Sequence, residues 1–86
     1  MYIHLGEDVI VSARDVVAIL DARNAARSDA MRAFVAGMRR SGDVMEIDPL
    51  HCKSYVVTDA VLYISPISSN TLKKRAQARQ FALHDA

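Results

Sequence analysis

The chain has 86 residues, 51% of them hydrophobic and 24% charged, with a formal net charge of +1. That length accommodates one core and not two, and that apolar content argues against a disordered chain. Cys52 is the lone cysteine, so an internal disulfide is excluded; the opening residues carry no basic leader and no apolar run approaches the ~20 residues of a membrane span, which makes cytoplasm the expected setting.

Tyr2 to Leu5 is rich in β-formers, and Gly6-Glu7-Asp8 separates it from the β-branched run Val9-Ile10-Val11, which predicts a hairpin. After the polar interruption Ser12 to Asp15, Val16 to Leu20 is apolar on both faces and reads as a central strand covered on both sides. Asp21 to Arg27 has no apolar rhythm and reads as a connector. Ser28 is positioned to cap a helix in which Met31, Phe34, Val35 and Met38 share one face, a stripe read as packing. Arg39, Arg40 and then Gly42 suit its C-terminal end.

Val44 to Ile47 alternates as a short strand, and Asp48-Pro49 turns the chain. Ser54 to Thr58 and Val61 to Ile64 form a second hairpin-like pair, in which Tyr55 and Tyr63, like Tyr2 earlier, suit cross-strand packing more than base stacking. Ser68-Ser69-Asn70-Thr71 is a cluster of capping residues that opens a C-terminal helix over about residues 69–82, whose thin stripe is Leu72, Ala76 and Leu83. Residues 83–86 read as a tail without fixed structure. The predicted fold is one α+β domain over residues 1–86: a small, mostly antiparallel sheet, one central amphipathic helix and a basic C-terminal helix. Surplus apolar surface on so small a domain predicts a homo-oligomer.

Candidate chemistry is sparse. The glycines, Gly6, Gly37 and Gly42, lack the spacing of a phosphate loop or dinucleotide turn. His51 and Cys52 are adjacent on an extended segment and so point to opposite faces, while His4 and His84 have no paired spacing, so no metal site is expected and His51 reads as a surface residue beside a half-buried Cys52. No nucleophile, base and orienting group can be assembled, which argues against an enzyme and against any cofactor. The charge distribution is the one uneven feature. From Pro66 to Ala86 four basic residues (Lys73, Lys74, Arg75, Arg79) face one acid, Asp85, whereas residues 1–65 hold seven basic and nine acidic groups. Lys73, Lys74 and Arg75 fan around a helix instead of forming a stripe; the serines before them would set hydroxyls and backbone N–H groups at a helix N-terminus, which suits an anion.

Three segments carry a resemblance: Met1-Tyr-Ile-His-Leu-Gly-Glu-Asp8, Val9-Ile-Val-Ser-Ala-Arg-Asp-Val-Val17 and Ser65-Pro-Ile-Ser-Ser-Asn-Thr-Leu-Lys-Lys-Arg-Ala76. They resemble the RemA/RemB family of bacterial extracellular-matrix regulators, closest to its RemB branch, over residues 1–76. The resemblance implies a DNA-binding regulator of biofilm-matrix genes, built as a ring of identical subunits with basic residues around its outside, and not an enzyme. Where the RemA branch carries a pair of arginines ahead of the long apolar strand, this chain has His51-Cys52-Lys53, a weaker electrostatic footprint. The candidate contacts to double-stranded DNA are Arg14, Lys53, Lys73, Lys74 and Arg75. No membrane contact and no small-molecule substrate are expected; the alternative function is an oligomeric adaptor that binds a protein and not DNA.

Overall fold

Strand β1 (Tyr2–Gly6) pairs antiparallel with β2 (Val9–Ser12), and the expected period of two is visible in the buried Ile3 and Leu5 between the exposed Tyr2 and His4. The computed structural model describes residues 2–85, with side chains described for residues 2–77. Gly6 is required at the hairpin turn: its φ is 123°, and a Cβ there would lie 3.0 Å from Pro66 Cγ.

A short 3-10 turn, Ala13–Asp15, leads into β3 (Val16–Asp21), followed by α1 (Ala22–Ala26) and α2 (Asp29–Ser41). Strands β4 (Val44–Glu46), β5 (Ser54–Thr58) and β6 (Leu62–Ser65) and helix α3 (Ser69–Asp85) complete the fold. The second sheet has four strands in the order β3-β5-β6-β4, with β4 parallel to β6 and the other pairings antiparallel. The α+β class and the mostly antiparallel pairing match the sequence reading. Helix α3 runs to Asp85, beyond the expected end at residue 82, and Ala86 lies outside the described residues.

Two expectations are corrected. Strand β3 is an edge strand, not a central one, with one ladder partner, β5. It is apolar on both sides because both faces of the sheet are covered: Ile19, Val56 and Tyr63 are paired across three strands and pack with Ile3, Leu5, Val11 and Leu72 of the hairpin and α3, while Tyr55 lines a groove with Met31 and Val35 of α2 on the opposite face. Cover is incomplete at the edge, where the bulged residue Val17 is 67% exposed. The supposed connector is helix α1. Asp21 caps it by accepting hydrogen bonds from the N–H groups of Arg23 (2.8 Å) and Asn24 (3.3 Å), and its buried residues are the small Ala22 and Ala25, too small to register as an amphipathic pattern.

Helix α2 begins and ends as its sequence dictates: Ser28 Oγ accepts from the Met31 N–H at 3.2 Å, and Gly42 takes the left-handed conformation at φ 82°. Its apolar stripe is only half covered, since Met31, Val35 and Met38 are partly buried, Phe34 is 39% exposed, and no residue of the helix is fully buried. Helix α3 docks through Leu72, which is fully buried and contributes about 2 kcal/mol by leaving water, and through Ala76 packed against the same core. Leu83, the third residue of its expected stripe, lies outside the described side chains.

Candidate nucleic-acid interface

Five chain segments meet at one end of the four-stranded sheet. Asp21 at the end of β3 pairs with Ser54 at the start of β5, which pairs with Ser65 at the end of β6. The backbone of Lys53 ties this end together: its N–H donates to the Ser65 carbonyl at 2.9 Å and its own carbonyl accepts from the Ala22 N–H of α1 at 3.1 Å. Ser54 Oγ donates to the Ile67 carbonyl at 2.8 Å, which holds the lead into α3 against β5. Hence Lys53, the first turn of α1 and the first turn of α3 are neighbours, although 30 residues separate Ala22 from Lys53.

Lys73 stands on the far side of a cleft of about 490 Å³, whose polar lining is Asp21, Asn24, Ser69, Asn70 and Lys73 itself. Lys53, Lys73 and Lys74 are all exposed, and neither they nor Arg14 form an ion pair with any described residue. By contrast Arg32 is paired with Asp29, and Arg39 donates to Glu46 at 2.8 Å, a hydrogen bond that raises the guanidinium's already high pKa. Arg23, Arg27 and Arg40 are likewise exposed and outside any ion pair among the described residues, and of these Arg23 lies nearest the end of the sheet that Lys53 occupies. Arg23 stands in the first turn of α1, beside Ala22 and so beside Lys53. The sequence signal for it was available: Asp21 is a good capping residue ahead of an alanine-rich stretch, Ala22 to Ala26.

The five candidate residues do not form one cluster. Arg14 sits in the 3-10 turn before β3, whereas Lys53 lies at the opposite end of the β3-β5 pair, roughly 17–20 Å along the strand. Arg75 turns back onto the fold, its Nη1 donating to the His4 carbonyl at 2.7 Å. It is exposed, but part of its hydrogen-bonding capacity serves the docking of α3.

The loop before Lys53 has its own order. Asp48 accepts from the Leu50 N–H at 3.0 Å and bonds His51 Nδ1 at 2.9 Å; these contacts, the His51 bond foremost, hold the Asp48 carboxyl below the ordinary range. Leu50 at the tip is 87% exposed. Cys52 is exposed, not half-buried as the sequence suggested, because it lies in the loop between β4 and β5, outside the strands. Among the described residues no group of three or more His, Cys, Asp or Glu side chains is arranged to hold a metal. No described helix is long and apolar enough to cross a membrane.

Residues 2–76 match the family model described as RemA-like, "Extracellular matrix regulatory protein A-like". The chain is also 46% identical over 77 residues to extracellular matrix regulatory protein B of Bacillus subtilis (strain 168), an alignment covering 90% of this chain and 91% of that protein.

Proposed function

Because this chain belongs to the RemA-like family of extracellular matrix regulatory proteins, we propose that it is a cytoplasmic, non-enzymatic regulator of extracellular-matrix genes that binds double-stranded DNA as a ring-shaped homo-oligomer. The observation that supports DNA most directly is the convergence of Lys53, Lys73 and Arg23 at one end of the sheet, exposed and without ion-pair partners among the described residues. Phosphate contacts of this kind release counterions and give affinity that falls steeply with salt and depends little on sequence. Arg14, Lys74 and Arg75 extend the set, and repetition by symmetry links the patches of separate protomers, so that weak contacts add through avidity.

The apolar surface supports association of identical subunits. A half-covered α2 stripe with Phe34 outermost, and an apolar edge strand with Val17 outermost, are two different patches. Distinct patches are what a head-to-tail, ring-closing contact needs. A second reading, a protein-binding adaptor, draws on Leu50, whose side chain stands in solvent three residues before Lys53.

Light scattering coupled to size exclusion, with and without a DNA duplex, tests both parts. The expected result is one multimeric species that shifts to higher mass with duplex at low salt and releases it at high salt. A monomer at micromolar concentration, or a multimer indifferent to duplex at low salt, would overturn the corresponding half.

A further inference from the structure

The cleft between α1 and the first turn of α3 contains a group that the fold does not use. Ser69 is 5% exposed and lines the cleft; no described residue hydrogen-bonds its hydroxyl, and since no buried side-chain polar atom among the described residues lacks a partner, that hydroxyl opens to the cleft. It also stands where helix α3 presents unsatisfied backbone donors. Ser68 caps the helix by accepting from the Thr71 N–H at 3.2 Å, and the Leu72 N–H donates to the Ser68 carbonyl, but the N–H groups of Ser69 and Asn70 have no described partner. Lys73, one turn along α3, adds a full positive charge to the same wall, and the Asn70 amide adds further donors.

We propose that this cleft is a subsite for a phosphate group, held by the Ser69 hydroxyl, the first-turn N–H groups of α3 and the Lys73 ammonium. The donors suit a tetrahedral anion: two backbone N–H groups at the positive end of the helix dipole, a hydroxyl free to rotate and a cation. Asp21 on the facing wall tempers the site. Its Oδ1 is occupied in capping α1, but its charge opposes an anion and makes the subsite weak for an isolated phosphate. A phosphate delivered as part of a polymer, with Lys53 and Arg23 engaging its neighbours, overcomes that weakness. The inference deepens the DNA reading and rests on it for the source of the phosphate; the same donors would also take a small phosphate compound.

The test uses the full chain and three variants, Ser69→Ala, Lys73→Gln and Asp21→Asn, with thermal unfolding showing that each is folded. Inorganic phosphate and a short DNA duplex are titrated separately, with backbone amide shifts locating the contact and fluorescence anisotropy measuring duplex affinity. The expected result is perturbation of the Ser69 and Asn70 amides by both probes. Duplex affinity should fall about two- to tenfold in Ser69→Ala, the equivalent of one hydrogen bond. Lys73→Gln should weaken it too, and Asp21→Asn, which keeps a capping oxygen, should strengthen it about two- to fivefold. Duplex bound with unchanged affinity by all three variants would overturn the subsite while leaving the DNA reading intact. Phosphate at Ser69 without any duplex binding would uphold the subsite and overturn the DNA reading. Absence of both would overturn both.

Discussion

Arg75 in the second turn of α3 donates through Nη1 to the carbonyl oxygen of His4 in β1, at 2.7 Å and across 71 residues of sequence. His4 in turn bonds the Glu7 carbonyl through Nε2 at 2.6 Å, so the hairpin and the C-terminal helix are joined by a polar contact outside the core that Leu72 anchors. Arg75→Ala should loosen α3 and lower stability by on the order of 1 kcal/mol, the size of one hydrogen bond. Lys at this position, lacking the guanidinium fork, should recover only part of it. Urea unfolding of the three proteins measures the difference, and equal midpoints would show that the bond contributes nothing.

Ser65 performs the corresponding task inside the core. Fully buried, its Oγ donates to the Leu5 carbonyl at 2.6 Å and accepts from the Ile67 N–H at 3.0 Å, joining β1, β6 and the lead into α3. Ser65→Ala removes the donor to the buried Leu5 carbonyl and the acceptor of the half-buried Ile67 N–H, and should cost about 1–3 kcal/mol. Ser54→Ala removes one donated hydrogen bond, that to the Ile67 carbonyl, and should cost less. Denaturant titration of the two variants gives the ranking.

The separation of Arg14 from Lys53 along β3 leads to a prediction about DNA. Under the proposed function, neutralising either residue should lower affinity by a similar amount and reduce the slope of log K against log salt by roughly one. Far apart and sharing no partner, the two changes should add in the double variant. Anisotropy titrations at several salt concentrations provide the slopes. A double variant no weaker than Lys53→Ala alone would remove Arg14 from the interface.

Alkaline stability should depend on Tyr55. Burial, followed by the neighbouring Cys52, raises the phenol above its ordinary value near 10. A pKa higher in the folded than in the unfolded chain contributes stability that is complete below the unfolded value and is lost as pH rises through the folded value. Thermal midpoints should therefore fall above about pH 10, and Tyr55→Phe should flatten that part of the profile. An unchanged slope in the variant would assign the alkaline loss to other groups.

Local structure was legible where a short-range cause acts. Ser28 and Gly42 bracket α2, Gly6 turns the first hairpin, and period-two alternation marks β1; each effect operates within a few residues and is written in the order of the chain. The cations were legible as a list, because charge is a property of composition. Their arrangement was not: Lys53 meets α1 and Lys73 faces Asp21 because β3, β5 and β6 end together, a matter of strand order and register. The same cause separates Arg14 from them and turns Arg75 back toward His4. The apolar pattern of Val16 to Leu20 shows that both faces are covered, but it cannot distinguish a central strand from an edge strand packed between two layers. Side-chain hydrophobicity responds to burial of faces, whereas position in the sheet depends on which backbone finds a partner, and only tertiary pairing decides that.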